Sequence, residues 1–357
     1  WGLAGRRFGP VLIWFLLGGD LYTAYTFVAL PAFLFGAGAV GFFSIPVSIL
    51  AFTSVFLVFP KVWTICAERG FATAADMVEG LYGNRVLALI IALTGIVATI
   101  PYIALQLVGL EAVFAGIGLG AHFSVFGFDI ELPLFVAFAV MAAFTYNGGL
   151  RAPTIVAIVK DLLVWVTLIA AVIIIPARLG GYGAIFDAVP PEKLIIPPAP
   201  ANSLGPQFSY FTLALGSALS LFLYPHTLTG LLAASSRDAI RRNAIFLPVY
   251  SIALALLMLL GFMALAAGVK DMPEYADGFA RFGNVFAVPA LFNHMFPDWF
   301  RGVAFATIAI GALVPAAIMS IAGANLFARN IYRAYFRPEC TDAQQTHVAK
   351  IFSLLVK

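Results

Sequence analysis

The chain has 357 residues, of which 62% are hydrophobic and 10% charged, and its mean hydropathy is +1.00. This composition is typical of a polytopic membrane protein and excludes a soluble domain with one aqueous-facing surface around its core. The net charge of +3 is dispersed through loops rather than concentrated on one face, so we expect no nucleic-acid partner.

Eight apolar segments predict membrane-spanning helices, because about 20 apolar residues in a helix cross the roughly 30 Å hydrocarbon core of a bilayer. The segments are 10–36, 39–64, 86–118, 133–147, 154–177, 208–234, 244–269 and 302–328. We predict a single all-α transmembrane domain over 1–357 in the lipid bilayer, with external loops at 178–207 and 270–301. The chain begins with Trp1 and ends in a new apolar run, so we expect it to be part of a longer protein.

Basic residues are distributed unequally between the two sides of this topology. If the first span enters from the cytoplasm, 13 lie inside and 5 outside, as the positive-inside rule favours. The inside set is Arg6, Arg7, Lys61, Arg69, Arg85, Arg151, Arg237, Arg241, Arg242, Arg329, Arg333, Arg337 and Lys350, and the outside set is Arg178, Lys193, Lys270, Arg281 and Arg301. We therefore predict a multi-pass protein of the inner (plasma) membrane in this orientation.

An aspartate, Asp20, lies near the middle of the first span, where hydrocarbon offers a charge no solvation, so we expect it to face a polar interior or a cation. Two spans also contain helix-interrupting residues, namely Gly18-Gly19 and Pro31 in the first and Gly216 and Tyr224-Pro225-His226 in the sixth. Breaks at corresponding positions of two halves are typical of inverted-repeat transporters. The alternative is that glycine and proline are simply common in membrane helices.

Five short segments carry a family resemblance: Gly18 to Phe27 with Gly36 to Ala39 downstream, Pro101 to Gln106, Tyr146 to Pro153 with its Gly-Gly-Leu signature, Tyr224 to His226, and Ala316 to Ser320. Through them the chain resembles the sodium:solute symporter family, and within it the bacterial monocarboxylate (lactate/pyruvate-type) permeases. The resemblance implies a LeuT-like bundle of two inverted five-helix repeats. The eight spans would be core helices one to eight, so the second repeat is incomplete in this chain.

The resemblance also implies a sodium ion between core helices one and eight. Its ligands would be the carbonyl oxygens of Gly18, Leu21 and Ala317 and the hydroxyl of Ser320, with Asp20 as a nearby carboxylate. Oxygen ligands suit a hard cation. A structural alternative for Asp20 is pairing with a neighbouring helix, and for Ser320 it is ordinary helix packing.

The sequence departs from the family pattern at two positions, which leaves this sodium site with fewer oxygen ligands. Ile321 stands where a second hydroxyl usually follows Ser320, and Ala157 stands where the fifth helix often carries an aspartate. Lys160, about 9 Å into its helix, could supply the positive charge itself, which makes proton coupling an alternative to sodium. Lys160 could instead snorkel to the cytoplasmic interface or pair with Asp161.

The predicted substrate pocket lies beside the two breaks. Its side chains are Tyr22, Thr23 and Tyr25 from helix one, Tyr102 and Gln106 from helix three, and Tyr224 and His226 from helix six. Hydroxyl and imidazole donors beside a positive half-helix N-terminus suit one carboxylate with a short apolar tail, such as lactate or pyruvate. His226 could instead be a structural histidine.

These observations lead to the hypothesis of a symporter that imports a small monocarboxylate with sodium by alternating access, with proton coupling through Lys160 as the alternative. A membrane enzyme or sensor using Asp20, Lys160 and His226 has no supporting catalytic motif, so we expect no enzyme. A channel is disfavoured because the intramembrane charges are few and do not form rings.

Overall fold

The computed structural model describes residues 1–119, 122–125, 128–196, 203–221 and 223–357, and almost all of them are helical, which confirms the all-α prediction. The α-helices, numbered in chain order, are α1 (Pro10–Leu21), α2 (Leu30–Ala37), α3 (Ser44–Leu57), α4 (Phe59–Arg69), α5 (Ala74–Tyr82), α6 (Arg85–Gly116), α7 (Leu132–Gly148), α8 (Arg151–Arg178), α9 (Tyr182–Ala188), α10 (Gly205–Leu221), α11 (Pro225–Leu232), α12 (Arg237–Phe246), α13 (Pro248–Met258), α14 (Leu260–Ala266), α15 (Ala276–Phe282), α16 (Ala287–Met295), α17 (Asp298–Leu326) and α18 (Asp342–Leu355). Sequence analysis did not predict the one antiparallel hairpin described, β1 (His122–Val125) with β2 (Phe128–Glu131), in which His122 pairs with Glu131.

Within the described residues, five helical stretches are long and apolar enough to cross a membrane, and α10 with α11, which meet at 48°, provide a sixth if they form one bent span. Shorter apolar helices lie at the first and fourth predicted spans, Pro10–Leu21 and Leu132–Gly148. One side of α6 exposes a row of large apolar side chains, as a lipid-facing helix does: Val86, Ile90, Leu93, Val97 and Ile100. The chain is a multi-pass membrane protein, and its division into eight spans stays a prediction.

Short polar signals fix where several helices begin. The side chains of Thr73, Asn84 and Ser236 each accept a backbone N–H bond in the first turn of α5, α6 and α12. Two glycines with positive φ, Gly70 and Gly83, follow the last residues of α4 and α5, where a side chain would be strained. The chain therefore forms a tight α4–turn–α5 unit near residues 68–77.

The first span is broken, but not where the sequence predicted. Gly18 and Gly19 lie within α1, which ends at Leu21, and the chain leaves the helix at Tyr22 (φ −91°, ψ 82°). A wide π-turn over Tyr25–Ala29 then leads into α2. The predicted interruption at the glycine pair is wrong, because each glycine keeps helical geometry and the break begins three residues further along the chain.

The sixth span is broken at the predicted position. The α10 helix ends at Leu221 and α11 begins at Pro225, whose missing N–H suits the first turn of a helix. Tyr224 is extended (φ −63°, ψ 132°) and precedes the new helix. The predicted interruption at Gly216 is wrong, because this glycine lies inside α10. Because α1 contacts α11, the two breaks lie beside each other.

A long helix, α17, organises the bundle by packing against α6, α8 and α11, while α1 packs against α8 and α12. One end of the bundle is joined by bonds from Arg6 to Phe71 O and from Leu150 N to Trp1 O. The positive-inside prediction assigns that end to the cytoplasm. The other end is closed by Lys193, which donates to Phe35 O at 2.7 Å, and by an ion pair of 2.5 Å between Arg281 and Glu131.

Candidate ion and substrate site

Lys160 of α8 is fully buried and reaches the break in the first span. Its ammonium donates to Gly19 O and to Tyr22 O, the latter at 3.0 Å, and lies 3.5 Å from Asp161 Oδ1. The side chain therefore does not snorkel to the interface, and it does pair with Asp161. A buried charge requires such partners, and a broken helix supplies carbonyls that an intact helix would use internally.

The Asp161 carboxylate connects this ammonium to α13. Tyr250 Oη donates to Asp161 Oδ2 at 2.7 Å, and Tyr22 Oη donates to Tyr250 O at 2.6 Å. The rings of Tyr22 and Tyr250 lie 5.1 Å apart. The break, α8 and α13 are thus joined in one buried polar network.

The Gly18-Gly19 pair makes this network possible by lacking side chains. A Cβ at Gly18 would overlap the ring of Tyr250, and a Cβ at Gly19 would lie 2.8 Å from Asp161 Oδ1 and 3.2 Å from Lys160 Nζ. The glycines therefore serve close approach rather than helix unwinding. This close approach explains why two glycines occur together in the first span.

The Asp20 carboxylate lies beside the second break. Its Oδ2 lies 3.5 Å from His226 Nε2 and 3.5 Å from Thr227 Oγ1, both at the start of α11. Asp20 Oδ1 and His226 Nδ1 are buried and have no hydrogen-bond partner among the described residues. A cavity of about 20 Å³ beside them is large enough for one water molecule.

Two more predicted substrate residues, Tyr102 and Tyr224, pack around His226. The rings of Tyr102, Tyr224 and His226 lie 5.4 Å from one another in every pairing. Tyr25 is half-buried at the start of the π-turn. These residues form an aromatic group at the junction of the two breaks, and their role as the wall of a substrate pocket stays a prediction.

The other predicted substrate residues stabilise the break itself. Gln106 Oε1 accepts the N–H of Ala24 at 3.2 Å, a donor that the broken helix leaves without an intrahelical partner. Thr23 and Thr26 bond each other's backbone N–H groups across the turn. Tyr22 faces Tyr250, as described above. In this conformation these side chains hold the protein backbone.

Three of the groups predicted to bind sodium make protein hydrogen bonds in this conformation. The Leu21 carbonyl accepts from Thr26 Oγ1, while Ser320 Oγ donates to Ala317 O at 2.8 Å within its own helix. Ala317 packs with Ile103 and Met141 of α6 and α7. The Gly18 carbonyl belongs to an unbroken part of α1, so the proposed role of all four in ion binding stays a prediction.

Helix α17 approaches the break in the first span at Gly311 rather than at Ser320. A Cβ on Gly311 would lie 3.7 Å from Tyr22 O and 3.8 Å from Thr23 C. Nine residues separate Gly311 from Ser320, which is about 13 Å along a helix. Sequence reasoning missed Gly311 and Tyr250, and the only signal for the latter was a polar aromatic residue just after Pro248 in an apolar span.

A larger cavity of 680 Å³ lies between α5, α6, α11 and α17. It extends from Thr73 at the end of the bundle assigned to the cytoplasm to Tyr224 and Pro225 at the second break, and its lining is mostly apolar. The candidate site therefore borders a cavity within the size range of small-molecule sites.

Two broken helices that meet around buried polar groups inside a membrane bundle define the class of secondary transporters. The model of the sodium:solute symporter family matches residues 1–357, and the chain belongs to that family. Membership makes this protein a membrane transporter rather than an enzyme.

Known relatives agree with this assignment. The chain is 49% identical over 360 residues to a monocarboxylate transport permease protein of Rhizobium johnstonii and 35% identical over 362 residues to the uncharacterized symporter YodF of Bacillus subtilis, covering all of this chain and 69% of each relative. Its structure is similar to that of a Na+-coupled sialic acid symporter in a substrate-bound outward-open state, with TM-score 0.80 and 15% identity over 99% of this chain and 72% of that one. This likeness confirms the predicted LeuT-like fold.

Proposed function

We propose that this chain imports a small monocarboxylate by proton-coupled alternating access, with Lys160 in the place that the family resemblance gives to sodium. The observation that carries the proposal is the contact of the Lys160 ammonium with the carbonyls of Gly19 and Tyr22. A fixed ammonium there satisfies carbonyl dipoles of the break that would otherwise attract a cation. Each of these carbonyls lies one residue beyond one that the resemblance gives to sodium, namely Gly18 and Leu21. Loss of its proton would release the break and allow it to move.

Sodium coupling is the second candidate, and specific observations favour it as well. The family description names sodium, and Asp20 Oδ1 is a buried carboxylate oxygen that lacks a hydrogen-bond partner among the described residues. A cation at this oxygen would compensate the carboxylate charge. It would lie toward His226 and Thr227 rather than toward Ser320.

The monocarboxylate assignment is supported by the named relative and by the composition of the pocket wall. Three aromatic rings, from Tyr102, Tyr224 and His226, leave few hydroxyl partners for a polyol but suit a short apolar tail. The start of α11 provides backbone N–H groups, and His226 Nδ1 provides an unused imidazole nitrogen for one carboxylate. Lactate and pyruvate are the simplest ligands of this kind.

The test is uptake of radiolabelled lactate or pyruvate into proteoliposomes with pH and sodium gradients imposed separately. We expect accumulation when the outside is acidic, without a requirement for sodium. In the Lys160→Gln variant, counterflow of labelled against unlabelled substrate persists while gradient-driven accumulation is lost.

Accumulation that follows the sodium gradient alone and is abolished in Asp20→Asn would establish the second candidate instead. Lys270→Gln, in the short turn Val269–Asp271, is the matched control and leaves both activities unchanged. Wild-type uptake that ignores both gradients would contradict symport altogether.

A further inference from the structure

Tyr250 is a fully buried tyrosine that the proposed mechanism does not use. Its ring lies 4.6 Å from that of Trp14 and 5.1 Å from that of Tyr22, over the bare surface of Gly18. Its backbone carbonyl accepts the Tyr22 hydroxyl at 2.6 Å. The phenol group is therefore held in one place by contacts on both sides.

This phenol aims at the Asp161 carboxylate. Oη lies 2.7 Å from Oδ2, while Oδ1 is 3.5 Å from Lys160 Nζ and makes no hydrogen bond among the described residues. Adjacent residues of a helix normally point in different directions, so Lys160 and Asp161 meet only if both side chains turn toward each other. The Tyr250 hydrogen bond fixes Asp161 in that orientation.

We propose that Tyr250 is a positioning residue of the coupling site: it orients Asp161, and Asp161 holds the Lys160 ammonium against the carbonyls of the break. This inference rests on the proposed function. Because Tyr250 belongs to α13 and Asp161 to α8, a displacement of α13 would weaken the hydrogen bond between them and release the ammonium. The other charged or titratable groups that face the pair are Asp20 and Tyr22 of the first span.

The experiment compares Tyr250→Phe with wild type in proteoliposomes, using labelled lactate or pyruvate as the probe. We expect counterflow to stay within about twofold of wild type, and accumulation driven by an imposed pH gradient to fall about tenfold, since a hydrogen bond to a charged group is lost. The control is Tyr182→Phe on α9, which removes a hydroxyl that donates to Val172 O of α8 at 2.8 Å. This variant should keep wild-type accumulation.

A second variant separates loss of the hydrogen bond from damage to the fold. Tyr250→His retains a donor at the same position and is expected to recover part of the accumulation that Tyr250→Phe loses. Accumulation in Tyr250→Phe equal to wild type, or an equal loss in both variants, would overturn the inference while leaving the proposed function intact. If wild type itself ignores the pH gradient, the proposed function fails and the inference fails with it.

Discussion

Lys160 and Asp161 show how two neighbouring residues share one environment. Both side chains are fully buried, and together they contact the break in the first span and the phenol of Tyr250. The free energy of such a pair depends on keeping both members, because each alone would be an uncompensated charge in a medium of low polarity. Removal of one charge should therefore reduce stability more than removal of both charges.

Replacing Lys160 with methionine should lower the free energy of unfolding by about 3–5 kcal/mol, because Asp161 would remain buried without its cation. The double variant Lys160→Met/Asp161→Asn should recover part of that loss. Thermal unfolding in detergent ranks the variants by stability. Lys270→Met on an exposed turn is the control. A double variant less stable than the single one would contradict the argument.

Gly18→Ala tests the close approach of Tyr250 to α1. The added methyl group would overlap the tyrosine ring, and we expect overpacking to reduce stability by about 1–3 kcal/mol. Gly216→Ala is the matched control within α10, where no atom lies within 4 Å of the new Cβ. Helix propensity should stabilise that variant by up to about 1 kcal/mol. Melting temperatures that shift in the same direction for both variants would refute the interpretation.

At the scale of elements, an ion pair and hydrogen bonds attach the short helix α5 to the stretch that continues α17. Asp76 of α5 accepts bonds from Arg329 Nε at 2.8 Å and Asn330 Nδ2 at 2.7 Å, both in the π-helical stretch Phe327–Phe336 that continues α17. Thr73, the N-cap of α5, donates to Asn330 Oδ1 at 2.8 Å. These bonds join α5 to α17 at the rim of the large cavity.

Asp76→Asn should loosen α5 without unfolding the bundle. Arg329 is about one-third exposed, so solvent screens the ion pair and we expect a loss of about 1 kcal/mol. Hydrogen exchange of residues 70–83 should accelerate, while exchange in α6 stays slow. Asp187→Asn on α9 is the control. Equal protection of residues 70–83 in Asp76→Asn and wild type would show that Asp76 does not hold α5 against the continuation of α17.

The whole molecule is asymmetric between its two ends. The 680 Å³ cavity extends from the α5 end to the second break, whereas the opposite end is closed by Lys193, Arg281 and the stacked rings of Phe35 and Phe279. A transporter that alternates access exposes its site to one side at a time. We interpret this structure as a conformation open toward the side that the positive-inside rule assigns to the cytoplasm.

Ala98, which is exposed to the cavity, offers a test of this orientation after substitution by cysteine. A membrane-impermeant maleimide should label Ala98→Cys in inside-out vesicles and not in right-side-out ones, and Gly183→Cys on α9 should show the reverse. The native cysteines contribute little background, because both are buried and burial raises the pKa of the Cys66 thiol to about 11. Labelling of Ala98→Cys from the outer side would reverse the orientation.

The sequence alone determined the class, the fold and the second break. Membrane helices are specified locally, because each must be apolar over its own length. The break at Pro225 is also specified locally, because proline lacks the N–H that a continuous helix needs. The family motifs pointed to the same fold.

Only the tertiary structure decided how the polar groups pair. The sequence shows that Asp20 and Lys160 need partners in hydrocarbon, but their partners, His226 and the Gly19 carbonyl, lie more than 140 residues away along the chain. The glycine pair was misassigned as a break for the same reason: a bare helix surface has a function only once the ring of Tyr250 packs on it. Packing between distant segments, which no local propensity encodes, determined the candidate site.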